Sequence, residues 1–402
     1  MAARGARTPF EGGDEEAITT FERLLTDAVA IRMVADVPVG ALLSGGIDSS
    51  TVVAMMQSVG SRPVKTYTIG FEEQAYDEAH HAEAVARHIG TEHTTLRLSG
   101  ADALALVPKL PDWYDEPLAD PSQLPTYLVC QLARREVTVA LTGDGGDELL
   151  AGYNRYLMGR GLLNAVARIP RPIRSVAGTL ASMAGGRGGD LRSRSGRLRK
   201  AGQVLQASNV GTAYRTLLSA WQRPTELMPG EVEPDGPFIE TIERSSGLTM
   251  LGRIMLADQL SYLPDDLLAK IDRASMAVSL ESRAPLLDHR LAELSWTLPD
   301  RFKIRDRQTK WLLRQVLYRR VPQALVDRPK MGFSVPISAW LRGPLKSWGD
   351  DLLSPNRLAA LDFLDQEACR GAWRALQEGQ EHRSPALWAL LVFLDWHSKW
   401  LG

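Results

Sequence analysis

The chain has 402 residues, of which 44% are hydrophobic, enough for one large or two ordinary domains with a substantial core. Its formal net charge of -1 gives no overall field that would attract nucleic acid or anionic lipid, so we predict neither nucleic acid nor a membrane as a partner. The two cysteines, Cys130 and Cys369, match no metal or disulfide spacing, and no apolar run resembles a secretory signal or a membrane span. We therefore expect a cytoplasmic protein.

The first 158 residues alternate between helical and strand patterns. In chain order, we predict a helix around residues 18–29, a strand over VGALL, a helix over SSTVVAMMQSVG, a strand over VKTYTIGF, a helix over DEAHHAEAVARHIG, a strand over EHTTLRL, helical stretches through LPTYLVCQLARRE and a strand over VTVALTG. Strands separated by helices require crossover connections. The pattern therefore predicts an α/β fold, with a mainly parallel sheet and helices on both of its faces.

The pattern changes after residue 158, where we expect helices and no further clear strand. The basic segment GGRGGDLRSRSGRLRKAGQ has no aromatic residues between its arginines, so a solvated loop and helix face is preferred over a nucleic-acid site. We therefore predict an N-terminal tail of residues 1–16 and one domain of residues 17–402. This domain comprises an α/β core (17–158), a mostly helical basic insertion (159–247) and a helical C-terminal part (248–402).

The stretch DVPVGALLSGGIDSS places a glycine-containing loop at the end of the first predicted strand. Gly45 and Gly46 leave no Cβ in the way, so backbone N–H groups can converge on an anion, and the following helix adds a favourable dipole for phosphate. The loop lacks the lysine of a Walker A motif. A carboxylate beside a phosphate requires a cation between them, so Asp48 predicts Mg²⁺.

The stretch LTGDGGDELLAGY forms a second glycine-rich, acidic loop after another predicted strand. Because parallel strands end at one edge of a sheet, both loops should face one site. Asp147 is predicted to share the magnesium ion with Asp48. Asp144 is then available for acid–base chemistry or for recognition of an amine.

Four ordered motifs carry a resemblance to a known family. LLSGGIDSS resembles the PP-loop of ATP pyrophosphatases, which cleave ATP between the α and β phosphates. With LTGDGGDELLAGY, LPDDLLAKIDRASMAVSLESRAPLLDH and RQTKWLLRQVL, it resembles the synthetase domain of class B asparagine synthetases over about residues 17–345. The resemblance implies that Mg-ATP adenylates the side chain of aspartate and that ammonia then displaces AMP to give asparagine.

The resemblance also assigns roles to individual residues. The residues that would hold pyrophosphate and metal are Ser44, Gly45, Gly46, Asp48, Ser49 and Asp147. The residues that would contact the adenosine part of ATP are Leu42, Ile69, Thr142 and Gly143. Lys310, interpreted as a residue of an amphipathic helix, corresponds to the lysine that faces the phosphates, where a positioned ammonium would stabilise the transition state.

Other positions resemble the family less closely. Asp144 stands where many members have a glutamate thought to accept a proton from the amine, so its reach is shorter by one methylene. Tyr153 is implied to line the same pocket. Arg283, Asp272 and Glu281 are expected either to orient the substrates or to form a helix-packing network of ion pairs.

The N-terminus departs from the family pattern. Full-length members begin with a glutaminase domain whose first residue after Met is a nucleophilic cysteine, whereas Ala2 stands here and about fifteen residues precede the synthetase-like region. We therefore expect no glutaminase, and nitrogen supplied as free ammonia or by a separate glutaminase chain, unless the chain is a truncated product. A homodimer remains possible.

The acceptor carboxylate and turnover itself stay open at this stage. A β-lactam synthetase, a macrolactam synthetase or a sugar-acid amidotransferase would use the same activation chemistry on another carboxylate. A non-catalytic ATP-binding subunit is the alternative of a different class, although Asp48, Asp147 and Lys310 are all present.

Overall fold

The structure, a computed structural model, describes residues 1–71, 77, 79–185, 194–221, 223–328 and 335–402. Residues 186–193 of the basic segment and residue 78 of the helix predicted over DEAHHAEAVARHIG lie outside the described residues. The chain divides into two compact units. The sheet unit comprises Met1–Val107, Ser122–Tyr156 and Gly247–Val335, and the helical unit comprises Pro108–Pro121, Leu157–Ser246 and Pro336–Gly402.

The two units regroup the parts expected from the sequence. Residues 248–402, expected as one helical part, are divided between the units after Val335. Residues 1–16, expected as a tail, belong to the sheet unit, where the backbone N–H of Phe10 donates to the carbonyl of Thr297 at 2.8 Å. The predicted domain limits themselves remain a prediction.

A five-stranded parallel sheet lies at the centre of the sheet unit, and a two-stranded antiparallel hairpin lies beside it in the same unit. The strands are β1 (Val39–Leu42), β2 (Lys65–Phe71), β3 (Glu92–Leu98), β4 (Val139–Leu141), β5 (Glu281–Arg283), β6 (Ile304–Arg305) and β7 (Gln308–Thr309). The order in the sheet is β3-β2-β1-β4-β5, with Gly40 opposite Lys65 and Val39 opposite Val139. The predicted α/β fold with a parallel sheet is confirmed.

Helices flank the sheet and make up the described part of the helical unit. They are α1 (Ala2–Arg7), α2 (Asp14–Met33), α3 (Ile47–Val59), α4 (Ala79–Ile89), α5 (Gly100–Leu104), α6 (Leu110–Trp113), α7 (Gln123–Arg134), α8 (Gly146–Leu149), α9 (Asn154–Arg168), α10 (Arg171–Ala184), α11 (Arg194–Gln206), α12 (Val210–Leu218), α13 (Gly236–Arg244), α14 (Met250–Leu260), α15 (Ala269–Met276), α16 (His289–Thr297), α17 (Trp311–Tyr318), α18 (Gln323–Val326), α19 (Ile337–Arg342), α20 (Lys346–Leu352), α21 (Pro355–Ala359), α22 (Gln366–Gln377) and α23 (Ser384–Trp400). No described helix is both long enough and apolar enough to cross a bilayer.

The expectation of no strand after residue 158 was wrong. β5 is a polar Glu-Ser-Arg segment that pairs with β4 at the edge of the sheet, where one side has no neighbouring strand and an apolar run is not required. β6 and β7 are only two residues long, and Asp306 and Arg307 connect them with positive φ angles of 51° and 64°. Such short polar strands leave no periodic signal in a sequence.

The hydrophobic core of the sheet unit joins the sheet to α2, α3 and α17. Leu25 of α2, Met55 of α3 and Leu313 of α17 are fully buried in one cluster that also contains Leu141 of β4. The apolar spacing of α2 and α3 therefore packs these helices as the sequence predicts. This packing sets α17 against α2 and α3, and Lys310 directly precedes α17.

Candidate active site

The predicted site residues gather at the carboxyl edge of the parallel sheet. β1 ends at Leu42 and leads through the Ser-Gly-Gly loop into α3, while β4 ends at Leu141 and leads through the second loop into α8. Ile69 lies near the end of β2, which pairs with β1. The carboxyl edge is where ligands bind in sheets of this kind.

The Ser-Gly-Gly loop is held in shape by its own serines. The hydroxyl groups of Ser44 and Ser49 lie 3.0 Å apart, and the Ser49 hydroxyl accepts the Ser44 backbone N–H at 3.2 Å. Gly45 has a φ of 71°, and a Cβ there would come within 2.8 Å of the backbone nitrogen of Ala82 in α4. Gly46 is the N-cap of α3, a helix of 13 residues, so the loop presents a helix N-terminus to the site.

The second loop packs directly on the first. A Cβ on Gly143 would lie 2.7 Å from the backbone nitrogen of Ser49, and one on Gly146 would collide with the carboxylate of Asp48. Gly145 adopts a φ of 91° and faces the side chain of Leu287, which leaves no room for a Cβ. The glycines of both loops therefore allow the two acidic segments to approach each other.

Lys310 bridges the two carboxylates predicted to bind metal. Its ammonium forms ion pairs with Asp48 and, at 2.7 Å, with Asp147 Oδ1. Lys310 is 4% exposed and is the N-cap of α17, not a residue of the helix as predicted, with a positive φ of 53°. Its backbone N–H donates to the carbonyl of Leu150 at 3.2 Å. Lys310 lies between the end of β7 and the start of α17, and these two elements position its side chain beside Asp48 and Asp147.

The charges of Lys310, Asp48 and Asp147 act on one another. Burial by itself lowers the pKa of the Lys310 ammonium, but the carboxylates of Asp147 and Asp48 outweigh burial and raise the pKa above its usual value. The lysine therefore stays protonated. One ammonium opposite two carboxylates leaves one negative charge, so the carboxylate pair can accept a further cation.

Asp144 lies in the second loop, three residues before Asp147. Although part of its side chain is exposed, burial raises the pKa of its carboxyl above the usual range. A hydrogen bond from the side chain of Thr142 and the charge of Lys270 oppose this rise. A raised pKa lies closer to neutral pH, where a carboxylate is a more effective base for taking a proton.

The comparisons with known proteins decide the family. The family model for asparagine synthase matches residues 20–398. The chain belongs to the asparagine synthase family. Among its relatives, a protein of Mycobacterium tuberculosis named putative asparagine synthetase (glutamine-hydrolyzing) is 33% identical over 410 residues, covering 98% of this chain and 60% of that protein.

Two other relatives show the spread of this asparagine synthase family. Asparagine synthetase (glutamine-hydrolyzing) 1 of Bacillus subtilis is 30% identical over 398 residues, covering 97% of this chain and 60% of that protein. A protein of Gibberella zeae named Amidase chry2 is 28% identical over 400 residues, covering 90% of this chain and 58% of that protein. The chain thus spans about 60% of the length of these relatives.

Several residues that the resemblance to this family singled out do not join the cluster. Arg283 pairs with Glu281 at 2.6 Å and donates to the carbonyls of Arg32 and Val34, both at 2.8 Å, at the end of α2. Asp272 pairs with its neighbour Arg273. Each of these ion pairs lies within a single element, α15 or β5, and the roles expected for the three residues remain predictions.

Tyr153 lies in the sheet unit beside the second loop and donates its hydroxyl to Glu148. Burial and the charge of Asp147 raise the pKa of Glu148 to about 7. The guanidinium of Arg155 stacks 3.8 Å from the centre of the Tyr153 ring and pairs with the fully buried Asp258 at 2.9 Å. This network is joined to the second loop through Glu148, which directly follows Asp147.

Sequence reasoning missed three residues of the site. Arg328 donates to the carbonyl of Ser44 at 3.3 Å, Lys270 acts on Asp144 and donates to Ser122 at 2.8 Å, and Glu148 anchors Tyr153. Lys270 lies inside the quoted motif LPDDLLAKIDRAS, and its place in that motif, two residues before Asp272, was the signal that could have found it. Arg328 carries no local signal, because only the fold brings it to the loop.

Proposed function

We propose that this chain is an ATP-dependent amide synthetase that adenylates the side chain of aspartate and transfers ammonia to form asparagine. Family membership supports ATP use and an amide-forming ligase. The single observation that carries the proposal is the buried Lys310 ammonium between Asp48 and Asp147, beside a loop built to receive phosphate. A solvated surface lysine would have no such partners.

In the first step the aspartate carboxylate attacks the α-phosphate of ATP, and pyrophosphate leaves. Gly45, Gly46, Ser44 and Ser49 offer backbone and hydroxyl donors to the phosphates at the N-terminus of α3. We assign Lys310 to the phosphates, where its ammonium would lower the barrier by opposing the negative charge that grows in the transition state. Leu42, Ile69, Thr142 and Gly143 line the sheet edge, and we assign them to the adenosine part of ATP.

The donor set fits the magnesium ion that the family implies. Asp48 and Asp147 come from different loops yet reach the same ammonium. Mg²⁺ is commonly held by one or two carboxylates together with substrate phosphates. Bound by these two aspartates, it would neutralise phosphate charge. Among the described residues no group of three or more metal-ligating side chains occurs.

In the second step ammonia attacks the acyl carbon of the adenylate and AMP leaves. The attacking nitrogen must lose a proton, and we assign this proton to the carboxylate of Asp144. The support is its raised pKa and its place three residues from Asp147. The C–N bond forms as the C–O bond to AMP breaks, so the step is a substitution that requires no oxidant or reductant.

The nitrogen donor and location follow from the same proposal. We propose free ammonia, or ammonia delivered by a glutaminase, as the substrate of this chain. Both cysteines are buried and neither is paired in a disulfide, which suits the reducing cytoplasm.

A second candidate keeps the adenylation and changes the acceptor. A relative named Amidase chry2 is 28% identical over 90% of this chain, so the family includes proteins with names other than asparagine synthetase. Another carboxylate, such as that of a β-lactam or macrolactam precursor or of a sugar acid, would then replace aspartate.

The test is pyrophosphate release by the purified chain with Mg-ATP. Aspartate is added or left out, ammonium or glutamine is supplied as the nitrogen source, and asparagine is assayed at the end. We expect aspartate-dependent release and asparagine from ammonium. Release that depends on a different carboxylate would favour the second candidate, and ATP binding without any release would contradict both.

A further inference from the structure

Helix α10 of the helical unit exposes its large apolar side chains and buries its small ones. The exposed fractions are 40% for Ile169 just before the helix, 63% for Ile173, Val176 and Leu180, and 74% for Met183. The face towards the protein carries Gly178, where a Cβ would lie 2.6 Å from the carbonyl oxygen of Gly202 in α11. A helix of a globular protein normally shows the reverse arrangement.

The exposed side chains form one continuous stripe. Their spacing of four, three, four and three residues places them within an arc of about 80° at 3.6 residues per turn. The neighbouring Pro172, Ala177 and Ala184 are also exposed and widen the apolar arc to about 140°. We call these eight residues, Ile169, Pro172, Ile173, Val176, Ala177, Leu180, Met183 and Ala184, the α10 stripe.

Positive charge surrounds the α10 stripe. By sequence, residues 157–222 contain ten arginines, one lysine and a single acidic residue, Asp190, although the whole chain has a net charge of -1. Arg168 is exposed at the end of α9 and Arg171 at the start of α10. Arg194 and Arg197 are exposed on α11, which packs against α10. Local charge in this part of the chain thus differs sharply from the global balance.

The surroundings of the stripe disfavour a helical partner. Helix pairs are specified by charged residues beside the apolar seam, but Ala177, Thr179 and Ala184 occupy those positions here. A second copy of the chain would bring the same positive charge to the contact. A seam of five large side chains also falls short of the roughly 800 Å² per partner that stable protein interfaces bury.

We propose that the α10 stripe and its arginines dock on an anionic lipid surface, with the apolar side chains inserted at the boundary between headgroups and acyl chains. A wide aliphatic arc needs no matching partner surface in this setting, and the arginines supply attraction to the lipid phosphates. The net charge of the chain led us to expect no membrane partner, whereas the local charge around the α10 stripe favours one. The proposal does not depend on the reaction proposed above.

The first experiment is sedimentation of the full chain with lipid vesicles. We expect binding to vesicles that contain phosphatidylglycerol, weaker binding at high salt, and little binding to phosphatidylcholine alone. The double variant Val176→Ser, Leu180→Ser should lose about tenfold or more in partition coefficient. Val232→Ser is the matched control, because Val232 is 84% exposed in the same unit but lies outside the stripe.

A second experiment reports insertion directly. Cys130 and Cys369 are buried, so a cysteine introduced by Val176→Cys can be labelled selectively with an environment-sensitive fluorophore. We expect a blue shift and higher emission with phosphatidylglycerol vesicles, and no change for a label introduced by Val232→Cys. Circular dichroism of each variant establishes that the fold is retained.

Three results would overturn the proposal. The first is a wild-type chain that stays in the supernatant with anionic vesicles at low salt. The second is a stripe variant that binds as well as the wild type, which would reduce the effect to charge alone. The third is self-association in analytical ultracentrifugation that the stripe variant abolishes while vesicle binding is absent, which would assign the stripe to a second copy.

Discussion

The active-site edge of the sheet unit and the α10 stripe of the helical unit depart from the usual distribution of residues in opposite directions. At the sheet edge, charged side chains such as Lys310 are buried. On α10, large aliphatic side chains such as Met183 are exposed. Charged residues are rarely buried without partners, and contiguous exposed apolar surface commonly marks an interaction site.

The two departures are compensated in different ways. The buried ammonium has Asp48 and Asp147 as partners, so the chain itself balances this charge. The part of the helical unit that the structure describes provides no cover for the stripe, whose five large members are all at least 40% exposed. The compensated ammonium belongs to the candidate active site, whereas the exposed stripe is the surface that we propose to dock on lipid.

The largest expected effect is that of Lys310→Ala. Loss of the ammonium should reduce AMP formation by roughly 10²-fold or more, because this ammonium would oppose the negative charge that grows on the phosphates in the transition state. Asp48 and Asp147 keep 19% and 15% side-chain exposure, so water can solvate them and the fold should survive. AMP release, measured by chromatography, checks the loss of activity. Circular dichroism checks that the fold is retained.

Lys346→Ala is the control for this variant. Lys346 is an exposed lysine of the helical unit that pairs with Asp350 on its own helix, an interaction that contributes little to stability. It should retain wild-type activity. A Lys310→Ala enzyme within a few-fold of wild type would remove the catalytic assignment.

The next effect is expected for Asp144→Asn, which separates the two chemical steps. The amide cannot take a proton from the attacking nitrogen, so asparagine formation should fall roughly 10²-fold. Pyrophosphate release should change much less. The ratio of asparagine to pyrophosphate measures the difference, and Asp144→Glu should recover most of the ratio. An unchanged ratio in Asp144→Asn would assign the proton to another group.

Two glycines with the same backbone conformation separate strain from crowding. Gly145 and Gly230 have φ angles of 91° and 90°. A Cβ on Gly145 would strike the side chain of Leu287, whereas a Cβ on Gly230 would have no described atom within 4 Å. Both Ala variants should lose about 1–2 kcal/mol from backbone strain. Gly145→Ala should lose about 1–3 kcal/mol more from overpacking, measured by urea unfolding. Equal losses would mean that Leu287 simply moves away.

A smaller effect concerns pH and the buried Lys303. Burial lowers the pKa of its ammonium from 10.5 to about 8 in the folded state. Between these values the unfolded chain binds a proton that the folded chain does not, so this group makes the free energy of unfolding rise with pH across that window. Lys303→Met should remove this slope in urea titrations from pH 7 to 10, relative to an exposed control, Lys346→Met. Parallel curves for all three proteins would contradict the assignment.

The smallest effect is expected on α10 itself. Leu180→Ser should change the free energy of unfolding by no more than about 0.5 kcal/mol, because Leu180 is 63% exposed. Leu313→Ala in the core of the sheet unit should cost about 2–5 kcal/mol. A large loss in Leu180→Ser would show that the stripe packs within the chain and does not face a partner.

Local pattern was enough for much of the fold and for the loops of the site. The apolar runs of β1, β2 and β4 and the spacing of α2 predicted a parallel sheet because burial on both sides demands such runs. β5 was not predicted, because its three residues are polar and lie at the edge of the sheet. Arg283 was expected either to orient the substrates or to join a network of ion pairs, and only the fold shows that its guanidinium donates to two carbonyls at the end of α2.

The sequence by itself determined the alternation of strands and helices, the two glycine-rich acidic loops and the family. These properties depend on neighbouring residues, whose periodicity and backbone freedom can be read along the chain. Only the tertiary structure decided that Lys310 leaves the helix and joins Asp48 and Asp147, 262 and 163 positions away, and that α10 turns its large side chains outward. Which residues meet across such separations depends on packing of the whole chain, because burial and charge compensation are properties of the assembled core.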